Sequence, residues 1–208
     1  TSRRQRQMCI RDSPTSEYHL TEIMENTLYM PNNTYAGQAK IYLKECMEKQ
    51  DSSGGVVECT VHGMPAGIGE PVFEKLDAAL AKAVMSIGAV KGVEIGDGFQ
   101  AATSHGSINN DAFTCENGSI SKLTNHSGGI LGGMSDGSDI VLRAAFKPTP
   151  SISQVQQTVT TTSENIDFSI HGRHDPIIVP RAVVVVESMV ALTLIDLLFA
   201  NMSSRLDK

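Results

Sequence analysis

The chain has 208 residues, 40% of them hydrophobic, enough for one domain with a sizeable core. Its net charge of −6 divides unevenly: Arg3, Arg4, Arg6 and Arg11 against Asp12 make residues 1–13 basic, so the rest is more acidic than the total. An acidic body argues against nucleic acid as the main partner. Cys9, Cys46, Cys59 and Cys115 form no Cys-x-x-Cys pair, so neither a zinc site nor a disulfide framework is indicated, and a reducing compartment is the default.

Residues 1–13 show no apolar period and are expected to be a non-native or disordered leader, a translated linker rather than a basic targeting arm. The domain is placed at residues 14–208. Ala39, Ile41, Tyr42, Cys46 and Met47 give a rough apolar stripe and predict a helix over 38–50. Asp51-Ser52-Ser53-Gly54-Gly55 breaks it, and Val56–Val61 reads as a strand with Val57, Cys59 and Val61 on one face. After a glycine-rich loop, Pro71 suits a first helical position, followed by Phe73, Leu76, Leu80, Ala83, Val84 and Ile87 at helical steps and a stop at Gly88. A strand is expected around Val93–Ile95. Residues 101–137 are rich in Gly, Ser and Asn with little periodicity, and Lys122 falls in this unpatterned stretch. A loop that long counts against a compact domain unless it is functional. Ile140–Phe146 alternates cleanly, Gln154–Thr162 is a further strand candidate, and a long apolar helix runs from about Arg181 to Met202. Glu187 and Asp196 interrupt its apolar run. A carboxylate near mid-bilayer costs about 2.5–3.5 kcal/mol, so a buried core helix is expected and no membrane partner.

Nucleotide motifs of the Gly-x-Gly-x-x-Gly and Walker types are absent. All the glycines except Gly37 and Gly172 lie between Gly54 and Gly137. Glycine permits close backbone approach to a ligand, and equally permits tight turns between strands. Of the histidines only His171 and His174 are close in sequence, so no metal is expected. Lys147-Pro148-Thr149-Pro150-Ser151 is a stiff exit from a strand that can present donors to an anion, or simply a strand terminus. In Gly172-Arg173-His174-Asp175-Pro176, Arg173 offers a planar fork to phosphate or carboxylate, and Asp175 can move a proton where its surroundings tune it. The alternative is a structural ion pair capping the terminal helix.

These runs, with Gly67–Phe73, Ser86–Gly96 and Gly128-Gly129-Ile130-Leu131-Gly132-Gly133 in order, resemble the C-terminal part of chorismate synthase along nearly all of residues 51–198. The resemblance implies an α+β fold, part of a β-α-β sandwich with a helical core between antiparallel sheets. It implies a carbon–oxygen lyase of the shikimate pathway of aromatic amino acid biosynthesis. That lyase converts 5-enolpyruvylshikimate 3-phosphate to chorismate and phosphate by 1,4-anti elimination. It implies reduced FMN, with NADPH as a candidate reductant, a cytoplasmic homotetramer when complete, and a small-molecule substrate. By residue, Gly88, Ala89, Gly132 and Lys147, Pro148, Thr149, Pro150 and Ser151 match stretches that contact FMN. Arg173 matches an arginine near FMN and substrate, and Asp175 an acid that helps handle a flavin proton. The family's N-terminal histidines, arginine cluster and Arg-Ser-Ser run are not recognisable, so an incomplete and inactive chain is expected. A non-catalytic FMN- or phosphate-binding module, or an oligomerisation partner, is the alternative.

Overall fold

In the computed structural model, residues 4–9, 18–116, 118–172 and 174–204 are described. The centre is a four-stranded antiparallel sheet of β1 (Arg4–Cys9), β2 (Gly55–Val61), β8 (Ile140–Phe146) and β3 (Val90–Ile95), in that spatial order. Alternation decides its faces, since successive strand side chains point to opposite sides. Val57, Cys59 and Val61 of β2 and Ile140, Leu142, Ala144 and Phe146 of β8 are buried on one face. Helices α2 (Leu76–Met85) and α4 (Val179–Ser203) pack on the sheet, and α1 (Asn33–Glu48) joins the buried cluster. They supply Ala39 and Leu43, Leu76, Leu80 and Val84, and Val183, Val186 and Val190 to the same core.

The segment expected to be a leader contains β1, whose backbone pairs with β2 from Arg4↔Val61 to Cys9↔Val56. The first helix starts earlier than its stripe predicts, because the Asn32 side chain accepts hydrogen bonds from the Thr34 and Tyr35 N–H groups and caps it. Pro71 does not open α2. Pro71–Phe73 is a turn with Val72 at φ +68°, Phe73 is exposed, and the helix begins at Leu76. The apolar step from Phe73 to Leu76 imitated a helical period that the turn breaks.

The glycine-rich region is largely built of short elements: a 3-10 turn (Gly98–Thr103), α3 (Gly106–Asn109), hairpin β4 (Phe113–Glu116)/β5 (Ser119–Lys122), and hairpin β6 (Ile130–Leu131)/β7 (Met134–Ser135). The expected strand near 154–162 is β9 (Gln156–Val159), paired with β10 (Asn165–Phe168) in an exposed hairpin. Helix α4 opens two residues before Arg181, with Pro180 in its first turn. It is long and apolar enough to cross a membrane by length and composition. Here it lays Val179, Val183, Val186, Val190 and Leu194 on the core and leaves Val184, Leu192, Ile195 and Phe199 exposed.

Candidate functional site

Four segments far apart in sequence meet at the end of the sheet where Phe146 of β8 faces Gly55 of β2 and Val90 of β3. The Lys147 N–H donates to the Ala89 carbonyl at 2.9 Å, and the Ser53 N–H to the Pro176 carbonyl at 2.8 Å. The Ser52 hydroxyl donates to the Thr149 carbonyl at 2.7 Å. Gly54 makes the approach possible, because a Cβ there would run into the Phe146 carbonyl and lie 3.2 Å from Pro148 Cδ.

A cleft of about 150 Å³ opens between these segments, walled by Asp51, Ser52, Ser151, Gly172, His174 and Asp175 among others. Self-contained small-molecule pockets run to roughly 300–1,000 Å³, so this cleft suits part of a ligand. A larger cleft of about 480 Å³ along α1, lined by Met30, Tyr35, Ile41 and Tyr42, shares none of those residues. The smaller one carries the chemistry. Three buried side-chain atoms lack a hydrogen-bond partner among the described residues: Arg143 Nε, Thr149 Oγ1 and Nε2 of His174, and of these residues His174 lines the cleft.

Of the residues singled out from sequence, Ala89, Lys147, Pro148, Thr149, Pro150, Ser151 and Asp175 come together here, with Gly88 beside Ala89. Arg173 lies outside the described residues. Gly132 sits elsewhere, in the β6–β7 turn, next to the Gly133 carbonyl that accepts the Leu76 N–H at the start of α2. Gly88 lies past the other end of that ten-residue helix, so about 15 Å separates the two. Asp175 is held by Arg181, with Nη1–Oδ2 2.9 Å and Nη2–Oδ1 3.1 Å. That pair is the helix-terminus contact open as the alternative in the sequence, and Arg181 is mostly exposed. Sequence reasoning did not single out Ser52 and Ser53 as site residues. The signal was present in Asp51–Gly55, a turn between helix and strand with two hydroxyls in it.

Lys122 is not a bland loop residue. Its Nζ donates to Asp136 (2.6 Å), Ser127 (2.9 Å), Asp111 (3.3 Å) and Asn125 (3.3 Å), and the Lys122, Asp111 and Asp136 side chains are 3%, 5% and 8% exposed. Burial works against the Asp111 carboxylate, yet the Ser127 and His126 N–H groups and the Ser127 and Thr124 hydroxyls outweigh it and hold its pKa well below the usual carboxylate range. Burial likewise opposes the Asp136 carboxylate, and hydrogen bonds from Lys122 and Ser138 with the Lys122 charge bring its pKa down. The cluster fixes residues 124–129: Asn125 Oδ1 also accepts the Gly129 N–H at 2.8 Å. Gly128 and Gly96 then pack backbone to backbone, and a Cβ on Gly96 would stand 2.5 Å from the Gly128 nitrogen. These glycines serve contact between protein segments.

The chorismate synthase family profile matches residues 7–199. The chain belongs to the chorismate synthase family. It is 61% identical over 187 residues to the chorismate synthase of Agathobacter rectalis, covering 90% of the chain and 51% of that protein. It is 64% identical over 181 residues to that of Lachnoclostridium phytofermentans, covering 86% and 49%. The chorismate synthase of the archaeon Methanosarcina mazei is 54% identical over 180 residues. The chain thus spans about half the length of the curated chorismate synthases it matches. A crystal structure of a chorismate synthase superimposes with a TM-score of 0.77 at 28% identity, covering 96% of the chain and 57% of that structure. The chorismate synthase match extends the resemblance upstream of residue 51, through α1 and into β1. It also bears out the α+β fold.

Proposed function

We propose that this chain furnishes one part of a chorismate synthase active site, in which 5-enolpyruvylshikimate 3-phosphate loses phosphate by 1,4-anti elimination to give chorismate. The observation that carries this is the convergence of Asp51–Gly55, Gly88–Val90, Lys147–Ser151 and Asp175–Pro176 on one strand end in a member of that family. The residues fit part of a flavin: hydroxyls, carboxylates and His174 line a cleft too small for a whole cofactor. Reduced FMN, when bound, supplies an electron-rich ring to an elimination with no net redox change.

The roles of the chain's own residues follow from their chemistry. Ser52 and the Lys147 backbone fix the exit from β8, so the Lys147 ammonium and the Ser151 hydroxyl are donors carried on a stiff, twice-proline segment. Arg173 is assigned to the substrate and cofactor anions. Asp175 is assigned to hold or release a proton at a carboxylate oxygen, with Arg181 orienting it. The resemblance assigns Gly132 to the cofactor as well, although it lies in the β6–β7 turn, away from the other residues of the site. It further assigns a homotetramer of the completed enzyme, in the cytoplasm.

The test is chorismate formation by the purified 208-residue chain with substrate and chemically reduced FMN. Flavin binding without turnover is expected, because the matched relatives carry about as much chain again. Chorismate produced by this chain alone would overturn the partial-site reading.

A further inference from the structure

We propose that Gln156 and Ser52 are positioning residues for the Lys147–Ser151 segment: from two separate elements they hold two consecutive carbonyls of it and so aim its side chains. This rests on the reading of that segment as ligand-bearing and names what sets its geometry. Pro148 and Pro150 carry no backbone N–H, so past Lys147 the segment has few groups with which to join a strand ladder. Their rings fix φ. What remains free is rotation about ψ, which swings each carbonyl together with the peptide plane that follows it.

Those carbonyls are held by side chains. The Ser52 hydroxyl, in the turn between α1 and β2, donates to the Thr149 carbonyl at 2.7 Å. Gln156 Nε2, at the first position of β9, donates to the Pro150 carbonyl at 3.1 Å, which also accepts the Ile152 N–H. Gln154 Nε2 adds a tie at 2.7 Å to the Lys49 carbonyl at the end of α1. With the Lys147 N–H bound to the Ala89 carbonyl, the path from Lys147 to Ser151 is fixed at both ends and in the middle. Gln156 is not among the residues that wall the cleft, so its action there runs through Pro150. Strands β9 and β10 are largely exposed, so Gln156 supports no core and its loss should cost little stability. A positioning role therefore separates from a structural one: the first moves ligand affinity, the second moves only the melting temperature.

The experiment uses the completed enzyme and reads FMN affinity by flavin fluorescence, KM and kcat for the substrate, and thermal melts. Gln156→Met keeps the length and removes the donor, and it should weaken FMN or substrate binding by about threefold with kcat at saturation within about twofold of wild type. Ser52→Ala should weaken binding by about fivefold, and Ser52→Thr, which keeps the hydroxyl, should restore most of it. Ser188→Ala removes a hydroxyl bond to the Val184 carbonyl on α4, 2.8 Å, and should leave affinity unchanged. In a Lys147→Ala, Ser151→Ala background, where the aimed groups are gone, both losses should shrink to under about twofold. Where Ser52→Ala fails to fold, Gln156→Met decides alone. Unchanged affinity and KM in the folded variants, or losses that persist at full size in that background, overturn the proposal. If the Lys147→Ala, Ser151→Ala enzyme itself binds FMN and substrate like wild type, the ligand-bearing reading of the segment falls, and this proposal with it.

Discussion

Replacing Lys122 by Met is the sharpest test of the buried charge cluster. The side chain keeps its length and loses the ammonium, leaving Asp111 and Asp136 in an interior where they are 5% and 8% exposed. Breaking a buried ion pair by removing one partner costs roughly 3–5 kcal/mol, because the remaining charge is uncompensated. The two carboxylates are not equally exposed to that penalty. Asp111 retains four donors from Ser127, Thr124 and His126, whereas Asp136 keeps the Ser138 N–H and loses its shortest contact. The loss therefore falls mainly on Asp136, and a cost near the lower limit, about 3 kcal/mol, is expected. Urea denaturation of wild type, Lys122→Met, Asp136→Asn and the double variant measures it. The double variant should be more stable than Lys122→Met, with a coupling of about 1 kcal/mol or more. A cost under about 1 kcal/mol for Lys122→Met, with no coupling, would refute the reasoning. Because both carboxylates titrate lower folded than unfolded, their contribution is complete above the ordinary Asp range near pH 4 and is lost as pH falls through the folded values.

Glu58 gives the opposite sign: burial raises its pKa and the Arg143 charge only partly offsets this. Glu58→Gln should therefore stabilise the chain at pH 7 and have less effect at pH 4, and thermal melts at the two values check it. Gly96→Ala should cost about 2 kcal/mol or more, since φ is +56° and the new Cβ meets the Ser127–Gly128 backbone; a melting temperature equal to wild type would disprove the packing. Asp175→Asn in the completed enzyme should lower turnover at saturation while FMN affinity and stability change little, because its pair with Arg181 is exposed. Full turnover of that variant would remove Asp175 from proton handling. Deleting residues 1–13 should leave unfolding cooperative while amides of β2 exchange faster with deuterium, having lost the β1 pairing; unchanged exchange would deny that pairing.

The central layer was legible because period-two alternation in Val56–Val61 and Ile140–Phe146 and the apolar run of α4 carry strong local signals. The turn at Pro71–Phe73 was not, since a proline and a three-residue apolar step read alike in a helix start and in a turn. Hairpin β9–β10 stayed half hidden because its strands are exposed and so lack a buried face to set a pattern. Of the site, Lys147–Ser151 and Asp175 stood out through residue type. Ser52, Ser53 and Lys122 did not, as their roles depend on partners that the chain brings close only after folding: Thr149, Pro176 and Asp136.

The cleft also has a timetable. One wall comes from Asp51 and Ser52 and the other from His174 and Asp175, more than 120 positions later in the chain. At translation rates of about 5–20 residues per second, roughly 6–25 s separate the emergence of the two walls from a ribosome. Until the second arrives, Ser53 lacks its Pro176 acceptor and the cleft has one wall. The cleft therefore gains its second wall only once residues 174 and 175 have emerged, however early the first is folded.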